Sequence, residues 1–96
     1  MQVKKALLVV DLQNDFCPGG ALGVADGDQI IPTINDYVDL FLNKKLPVFV
    51  SRDWHLPDTK HFKDAGGPWP PHCIQDTEGA KFHPDFEVPE DAIIMS

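Results

Sequence analysis

The chain has 96 residues, of which 43% are hydrophobic and 24% are charged, a balance typical of a small globular domain. Its formal net charge of −7 disfavours a nucleic-acid partner or an anionic membrane, because both require basic patches. The longest apolar run is too short to span a bilayer or to form the core of a signal peptide, so we expect a cytoplasmic protein. Two cysteines are too few for a disulfide scaffold, and we expect both to be reduced thiols.

The first predicted element is a strand at residues 6–10, a continuous apolar run. Such a run is typical of a parallel-sheet strand that is buried on both faces. Residues 17–28 are rich in glycine and are predicted to form a loop. Residues 31–45 are predicted to form a helix, because Pro32 suits a first helical turn and apolar residues follow at helical spacing.

Two more strands are predicted, at residues 48–51 and at residues 92–96. The order strand, helix, strand indicates a right-handed parallel βαβ unit. Residues 55–89 hold most of the prolines and show little periodicity, so we predict a long functional loop that its aromatic side chains keep ordered. One helix cannot cover both faces of such a sheet, so the other face is covered either by the long loop or by a part of the protein beyond this chain, and we expect the second.

Two aspartates come directly after the first two predicted strands. Asp11 follows the first strand, and Asp53 follows the second after one intervening residue. The carboxyl ends of parallel strands meet at one edge of a sheet, where ligands bind in open α/β folds. Either aspartate alone could equally cap a loop or a helix, but their shared edge beside histidines favours a site.

Three of the four histidines follow Asp53 closely and could share a metal ion with it. Asp53 and His55 are two residues apart, and in extended backbone such side chains point the same way. His61 and His72 lie in the following loop, which could fold back toward them. Three imidazoles with one carboxylate suit Zn²⁺, Fe²⁺ or Mn²⁺ better than Mg²⁺ or Ca²⁺. On spacing alone, a metal site and three unrelated surface histidines both stay open, because the gaps match no compact metal motif.

Several segments together resemble the nicotinamidase/pyrazinamidase branch of the isochorismatase-like cysteine hydrolases. They follow one another with compatible spacing along the whole chain: residues 11–16 (DLQNDF), 18–22 (PGGAL), 51–55 (SRDWH), 69–73 (WPPHC) and 79–84 (GAKFHP). The resemblance implies a three-layer α/β/α fold with a parallel sheet. This chain would supply about three strands, one main helix and a long metal-binding loop. Residues 1–96 would then form the N-terminal half of a single isochorismatase-like hydrolase domain.

The resemblance also implies a role for each matching residue. Asp11 would be the acid–base member of an Asp–Lys–Cys triad. A divalent transition metal (Zn, Fe or Mn) would be bound by Asp53, His55, His61 and His72. Phe16 and Trp69 would sandwich a flat aromatic ring, and Leu22 would also touch it. The metal would hold the pyridine nitrogen of the substrate and direct its carboxamide toward the nucleophile.

The implied activity is that of a metal-dependent nicotinamidase, which converts nicotinamide to nicotinate and ammonia and supplies nicotinate for NAD salvage. Pyrazinamide is an expected alternative substrate. In this family the triad lysine follows the third strand and the nucleophilic cysteine comes later, so a chain that stops at Ser96 is expected to lack both and to be inactive alone. Cys17 and Cys73 do not match the position of the nucleophile.

Three alternatives stay open beside this interpretation. The chain could be a non-catalytic metal-binding fragment, one part of a split enzyme, or another isochorismatase-like amidase. Exposed strand edges and an uncovered sheet face would favour association, either with a missing C-terminal half or with a second copy of the chain.

Overall fold

The computed structural model describes residues 5–96 of the chain. Within these residues, the main elements in chain order are β1 Leu7–Val10, α1 Ile31–Asn43, β2 Val48–Ser51 and β3 Ile93–Met95. The three strands are parallel and form one sheet in the order β1-β2-β3, and the helix α1 connects the first strand to the second. The predicted parallel strands and main helix are confirmed, and the right-handed sense of the crossover stays a prediction. Across residues 5–96 we find no helix with the length and apolar character needed to cross a membrane.

The helix α1 begins where the sequence predicts and ends two residues before the predicted Lys45. Pro32 lies in its first turn, where a missing N–H breaks no helical hydrogen bond. Lys45 has a left-handed φ of 57°, and the Leu46 N–H donates to the Phe41 carbonyl oxygen at 2.9 Å. This is a Schellman termination, which usually carries glycine at the left-handed position. Because a lysine stands there instead, the sequence pattern does not reveal the end of the helix.

The hydrophobic core lies between α1 and one face of the sheet. Val9 and Val50 pair in register on neighbouring strands, and both are buried together with Val38 of the helix. The same cluster also includes Leu12, Cys17, Ile31, Val48 and Phe86. Burial of this apolar surface stabilises the fold and fixes the carboxyl ends of β1 and β2 side by side.

The other face of the sheet is apolar and open. Leu8 is 54% exposed and Val10 is 64% exposed, although both belong to β1. The expectation that β1 is buried on both faces is therefore wrong for the residues that the structure describes. Side chains alternate between the two faces of a strand, and α1 packs against the face that carries Val9. Coverage of the open face by another part of the protein stays a prediction.

The long segment between β2 and β3 is ordered by backbone hydrogen bonds and by buried aromatic side chains. His55 pairs with Ile74 in an isolated parallel bridge. The His55 N–H donates to the Cys73 carbonyl and the Gln75 N–H donates to the His55 carbonyl, each at 2.9 Å. The side chain of Phe62 is almost fully buried beneath this pairing. The loop therefore folds back on itself and returns its second half to the edge of the sheet.

Candidate metal centre and aromatic pocket

A pocket of about 440 Å³ lies at the carboxyl edge of the sheet. Asp11 leaves the end of β1 and Asp53 leaves the end of β2, and both line this pocket. The eight residues singled out from the sequence all lie on its wall: Asp11, Phe16, Leu22, Asp53, His55, His61, Trp69 and His72. Open α/β sheets bind ligands at this edge, so the pocket is the candidate site.

Three of the four predicted metal ligands lie close enough to share one ion. The Asp53 Oδ2 atom is 3.5 Å from the His55 Nε2 atom and 3.6 Å from the His72 Nε2 atom. One potential ligand atom from each residue lies within 4.8 Å of the other two. Ligand atoms about 2.1 Å from a tetrahedral ion lie roughly 3.4 Å from one another, which is close to the observed spacing. Two imidazoles and one carboxylate thus fit a divalent transition metal in both geometry and donor type.

His61, the fourth predicted ligand, lines the same pocket but lies outside the close group found among residues 5–96. Its ring centroid is 6.0 Å from that of His55. The His61 carbonyl accepts a hydrogen bond from the Trp69 N–H at 3.1 Å, which joins the two ends of this part of the loop. The role of His61 as a ligand stays a prediction.

His72 is oriented by a hydrogen bond to the backbone. Its Nδ1 atom lies 2.7 Å from the Pro70 carbonyl oxygen, to which an Nδ1–H donates. That bond selects the tautomer with a lone pair on Nε2, and Nε2 is the atom nearest Asp53. The His72 ring is 5% exposed and lies against the rings of Phe16 and Phe62. The imidazole is therefore held with its Nε2 atom toward the close group.

Phe62 is a site residue that the sequence pattern did not reveal. Its ring is 1% exposed, and its centroid is 5.4 Å from that of His55 and 5.5 Å from that of His72. This apolar ring packs against both imidazoles and forms part of the apolar surroundings of the close group. A phenylalanine beside a histidine in a loop carries no distinct sequence signal for such a role.

Asp11 has an uncommon backbone conformation at the end of β1. Its φ is 52°, in the left-handed region that non-glycine residues rarely occupy. The Ser51 hydroxyl donates to Asp11 Oδ1 at 2.7 Å, and the Asp11 N–H donates to the Ser51 carbonyl at 3.2 Å. Non-glycine residues with such angles concentrate at functional sites. The Ser51 hydroxyl thus holds one carboxylate oxygen of Asp11 in place.

The predicted ring-binding residues contribute the apolar part of the pocket wall. Trp69 is 50% exposed, so a large part of its surface is accessible for stacking. Phe16 lies edge-on to His72, with 5.7 Å between the ring centroids. The Leu22 N–H donates to the Asp15 carbonyl at 2.9 Å, which fixes the loop that carries Leu22. The substrate-binding roles of these residues stay predictions.

Both cysteines are buried, unpaired thiols with raised pKa values. Burial, followed by the negative charge of Asp15, raises the pKa of Cys73 to about 12. Burial, followed by the charge of Asp28, raises the pKa of Cys17. The thiolate is the nucleophilic form of cysteine, so these environments disfavour nucleophilic attack. The wall of the pocket, as far as residues 5–96 define it, includes neither thiol.

Comparison with known proteins identifies the family of this chain. The family model described as "Isochorismatase domain" matches residues 5–96. The nicotinamidase of Escherichia coli is 39% identical over an alignment 95 residues long, and the match covers 83% of this chain and 45% of that protein. The nicotinamidase/pyrazinamidase of Mycobacterium tuberculosis is 40% identical over an alignment 87 residues long, and the match covers 88% of this chain and 46% of that protein.

The solved structures include a close match to the whole described fold. The pyrazinamidase of Pyrococcus horikoshii in complex with zinc superimposes with a TM-score of 0.89 at 50% sequence identity. The match covers 93% of this chain and 49% of that one. The chain thus spans about half the length of the relatives it matches. By sequence and fold, the chain belongs to the isochorismatase family, and its similar relatives include nicotinamidases and pyrazinamidases.

Proposed function

We propose that this chain is the metal-binding and ring-binding part of a metal-dependent nicotinamidase. Such an enzyme hydrolyses the carboxamide C–N bond of nicotinamide, with water, to nicotinate and ammonia. The observation that carries the proposal is the close group of Asp53, His55 and His72 in one pocket with Asp11. Relatives that are nicotinamidases at about 40% identity support it. Pyrazinamide, a ring analogue, is the expected alternative substrate.

The close group, joined by His61, would hold the metal. Zn²⁺, Fe²⁺ and Mn²⁺ share this preference for imidazole and carboxylate ligands. When bound, such an ion supplies a Lewis acid that orients a ring nitrogen. The similar pyrazinamidase was solved with zinc, so zinc is the first metal to test.

Asp11 would act as the base of the reaction. The Ser51 hydroxyl holds one of its carboxylate oxygens at 2.7 Å, which leaves the second to accept a proton from a nucleophile. Phe16 and Trp69 would hold the flat ring between them, and Leu22 would contact the ring and help to exclude water. Such positioning would keep the carboxamide near the Asp11 carboxylate. A fixed orientation of the reacting groups lowers the activation barrier of the hydrolysis.

A second candidate function is a metal-binding module that does not catalyse, or one part of a two-chain enzyme. The buried thiols with raised pKa values favour it, because Cys17 and Cys73 are poor sources of a thiolate. In the first candidate, the lysine and nucleophilic cysteine of the triad would come from a part of the protein outside this chain. The assignment of residues 1–96 to an N-terminal half, the association with a C-terminal half or a second copy, the role in NAD salvage and the cytoplasmic location stay predictions.

Ammonia release from nicotinamide by the purified, zinc-loaded chain tests whether the chain is catalytic by itself. Both candidates expect zinc binding without turnover, and binding of nicotinamide to the zinc-loaded chain then favours the first candidate. Turnover that is lost in Asp11→Asn would instead mean that the chain is catalytically complete. A wild-type chain that fails to bind zinc would contradict both candidates.

A third interpretation, another isochorismatase-like amidase, is tested with a panel of ring compounds. Nicotinamide and pyrazinamide carry a ring nitrogen, and benzamide does not. Tryptophan fluorescence reports ring binding even without turnover, and Trp69→Phe serves as the control for the signal. Equal binding of benzamide and nicotinamide to the zinc-loaded chain would favour the other amidase.

A further inference from the structure

Gln13 is a fully buried polar residue beside the candidate site, and none of the roles assigned above includes it. Its side-chain Nε2 donates to the Asp53 carbonyl at 2.9 Å and to the Ala80 carbonyl at 2.8 Å. Its Oε1 accepts the Asp53 N–H at 2.9 Å. Both amide hydrogens and the amide oxygen are therefore used, and the reverse orientation of the amide would place like groups against each other.

These contacts hold the backbone of a proposed metal ligand. The strand β2 ends at Ser51, so Asp53 lies just beyond the ladder of the sheet. The amide of Gln13 binds both the N–H and the carbonyl of Asp53, as a neighbouring strand would. The starting point of the Asp53 side chain is thus fixed, and its Oδ2 atom stays near both imidazoles of the close group.

The backbone of Gln13 is tied to the proposed base. The Gln13 N–H donates to the Asp11 carbonyl at 2.8 Å. Asp11 is the residue with the left-handed φ at the end of β1. One residue therefore contacts the base through its backbone and the metal ligand through its side chain. The bond to Ala80 adds an anchor from a third segment, 67 positions away along the chain.

We propose that Gln13 is a positioning residue that fixes Asp53 relative to Asp11 and thereby sets the metal affinity of the site. The inference rests on the proposed function, because it takes Asp53 as a metal ligand and Asp11 as the base. A residue that only stabilised the fold would affect the metal-free and the zinc-loaded protein equally. A positioning residue affects metal binding itself, since groups that orient ligands control affinity.

The test compares zinc affinity in Gln13→Glu and Gln13→Met with that in the wild-type chain. The glutamate replaces the Nε2 donor by an oxygen that faces two carbonyl oxygens, and the methionine keeps the length without the hydrogen bonds. We expect the zinc dissociation constant, measured by competition with a chelator, to rise about 10- to 100-fold in both variants. The ligand-field absorption of bound Co²⁺ should also change. Neither readout requires turnover.

Asn14→Asp is the matched control, because it makes the same chemical change at the next residue. The Asn14 Nδ2 donates to the Glu78 carbonyl at 2.8 Å, so it anchors the same turn without touching Asp53. This variant should keep wild-type zinc affinity and the wild-type Co²⁺ spectrum. Wild-type affinity and spectrum in both Gln13 variants would overturn the inference, as would an equal loss of affinity in the control.

If neither Gln13 variant folds, hydrogen exchange in the wild-type protein decides the matter. Coupling between two groups is reciprocal, so zinc should slow the exchange of the Gln13 side-chain amide and of the Asp53 N–H. Unchanged exchange rates in the zinc-loaded protein would overturn the inference. Failure of the proposed function gives a different result: the zinc affinity then still depends on Gln13, but none of the ring compounds binds to the zinc-loaded chain. A wild-type chain without zinc binding overturns both.

Discussion

Replacement of His72 by alanine removes one donor of the close group and tests the metal centre directly. The His72 Nε2 atom is 3.6 Å from Asp53 Oδ2, and the ring is 5% exposed. Truncation of such a buried ring also leaves a cavity beside Phe62 and lowers the stability of the metal-free chain. The informative quantity is therefore the rise in Tm that zinc induces, rather than Tm itself.

The size of that rise follows from linkage between binding and folding. Free zinc at about 100 times its Kd stabilises the native state by about 2.7 kcal/mol. In a domain of this size, each kcal/mol shifts Tm by about 4–8 °C, so the wild-type rise should be roughly 11–22 °C. Loss of a ligand should weaken the zinc affinity by about 100-fold or more, so the same zinc concentration lies close to the Kd of the variant. The stabilisation then falls to about 0.4 kcal/mol, and the rise in Tm to about 2–3 °C.

The assay is thermal unfolding, followed by circular dichroism, of protein freed of metal by a chelator and then titrated with zinc. His83→Ala is the matched control, because the His83 Nδ1 accepts the Asp85 N–H at 3.0 Å and, within residues 5–96, His83 lies outside the pocket wall. The control should keep the full zinc-induced rise. A rise of wild-type size in His72→Ala would refute the proposed centre, and an equal loss in both variants would refute its location.

Three further predictions concern the segments that support the site. Asp15→Asn should lower the free energy of unfolding by about 1–2 kcal/mol in urea titrations, because the Asp15 carboxylate accepts the Cys73 N–H at 2.7 Å and the Ala21 N–H at 3.2 Å. An unchanged free energy of unfolding would show that these hydrogen bonds are dispensable. Gly79→Ala should lower the free energy of unfolding by roughly 1–3 kcal/mol in the same titration, since the added methyl group would overlap the Asp15 carboxylate. Wild-type stability in this variant would contradict that close approach. The free energy of unfolding should fall as pH rises from about 9 toward 12, because burial raises the pKa of Cys73 from 9.0 to about 12 and the unfolded chain therefore loses that proton first. If a Cys73→Ala variant shows the same slope of unfolding free energy against pH as the wild type, this assignment is wrong.

Local patterns in the sequence were sufficient to predict the sheet and the edge at which the site forms. Apolar runs that end in aspartates predict strands with polar residues at their carboxyl ends, and the pocket lies there. The ligand set and the ring-binding residues depended on the family resemblance, because the histidine gaps match no compact motif. Of the four predicted ligands, Asp53, His55 and His72 are brought within ligand spacing of one another.

The parts that the sequence did not reveal depend on contacts between distant segments. Gln13 meets Asp53 across 40 positions and Ala80 across 67, and no local pattern records such pairs. Phe62 supports two histidines only because the loop folds back over it. The exposure of Leu8 was likewise not predicted from the sequence. An apolar run indicates a buried strand but does not indicate what packs against each face of that strand.

The same long-range bonds have a consequence for folding kinetics. The donors of the close group lie within one loop, but the group that fixes Asp53 comes from the start of the chain. Contacts of large sequence separation form late, because the entropy of closing the intervening loop must be offset first. Zinc should therefore find its site only after the transition state for folding has been passed. Zinc would then act mainly by slowing unfolding and would leave the folding rate nearly unchanged.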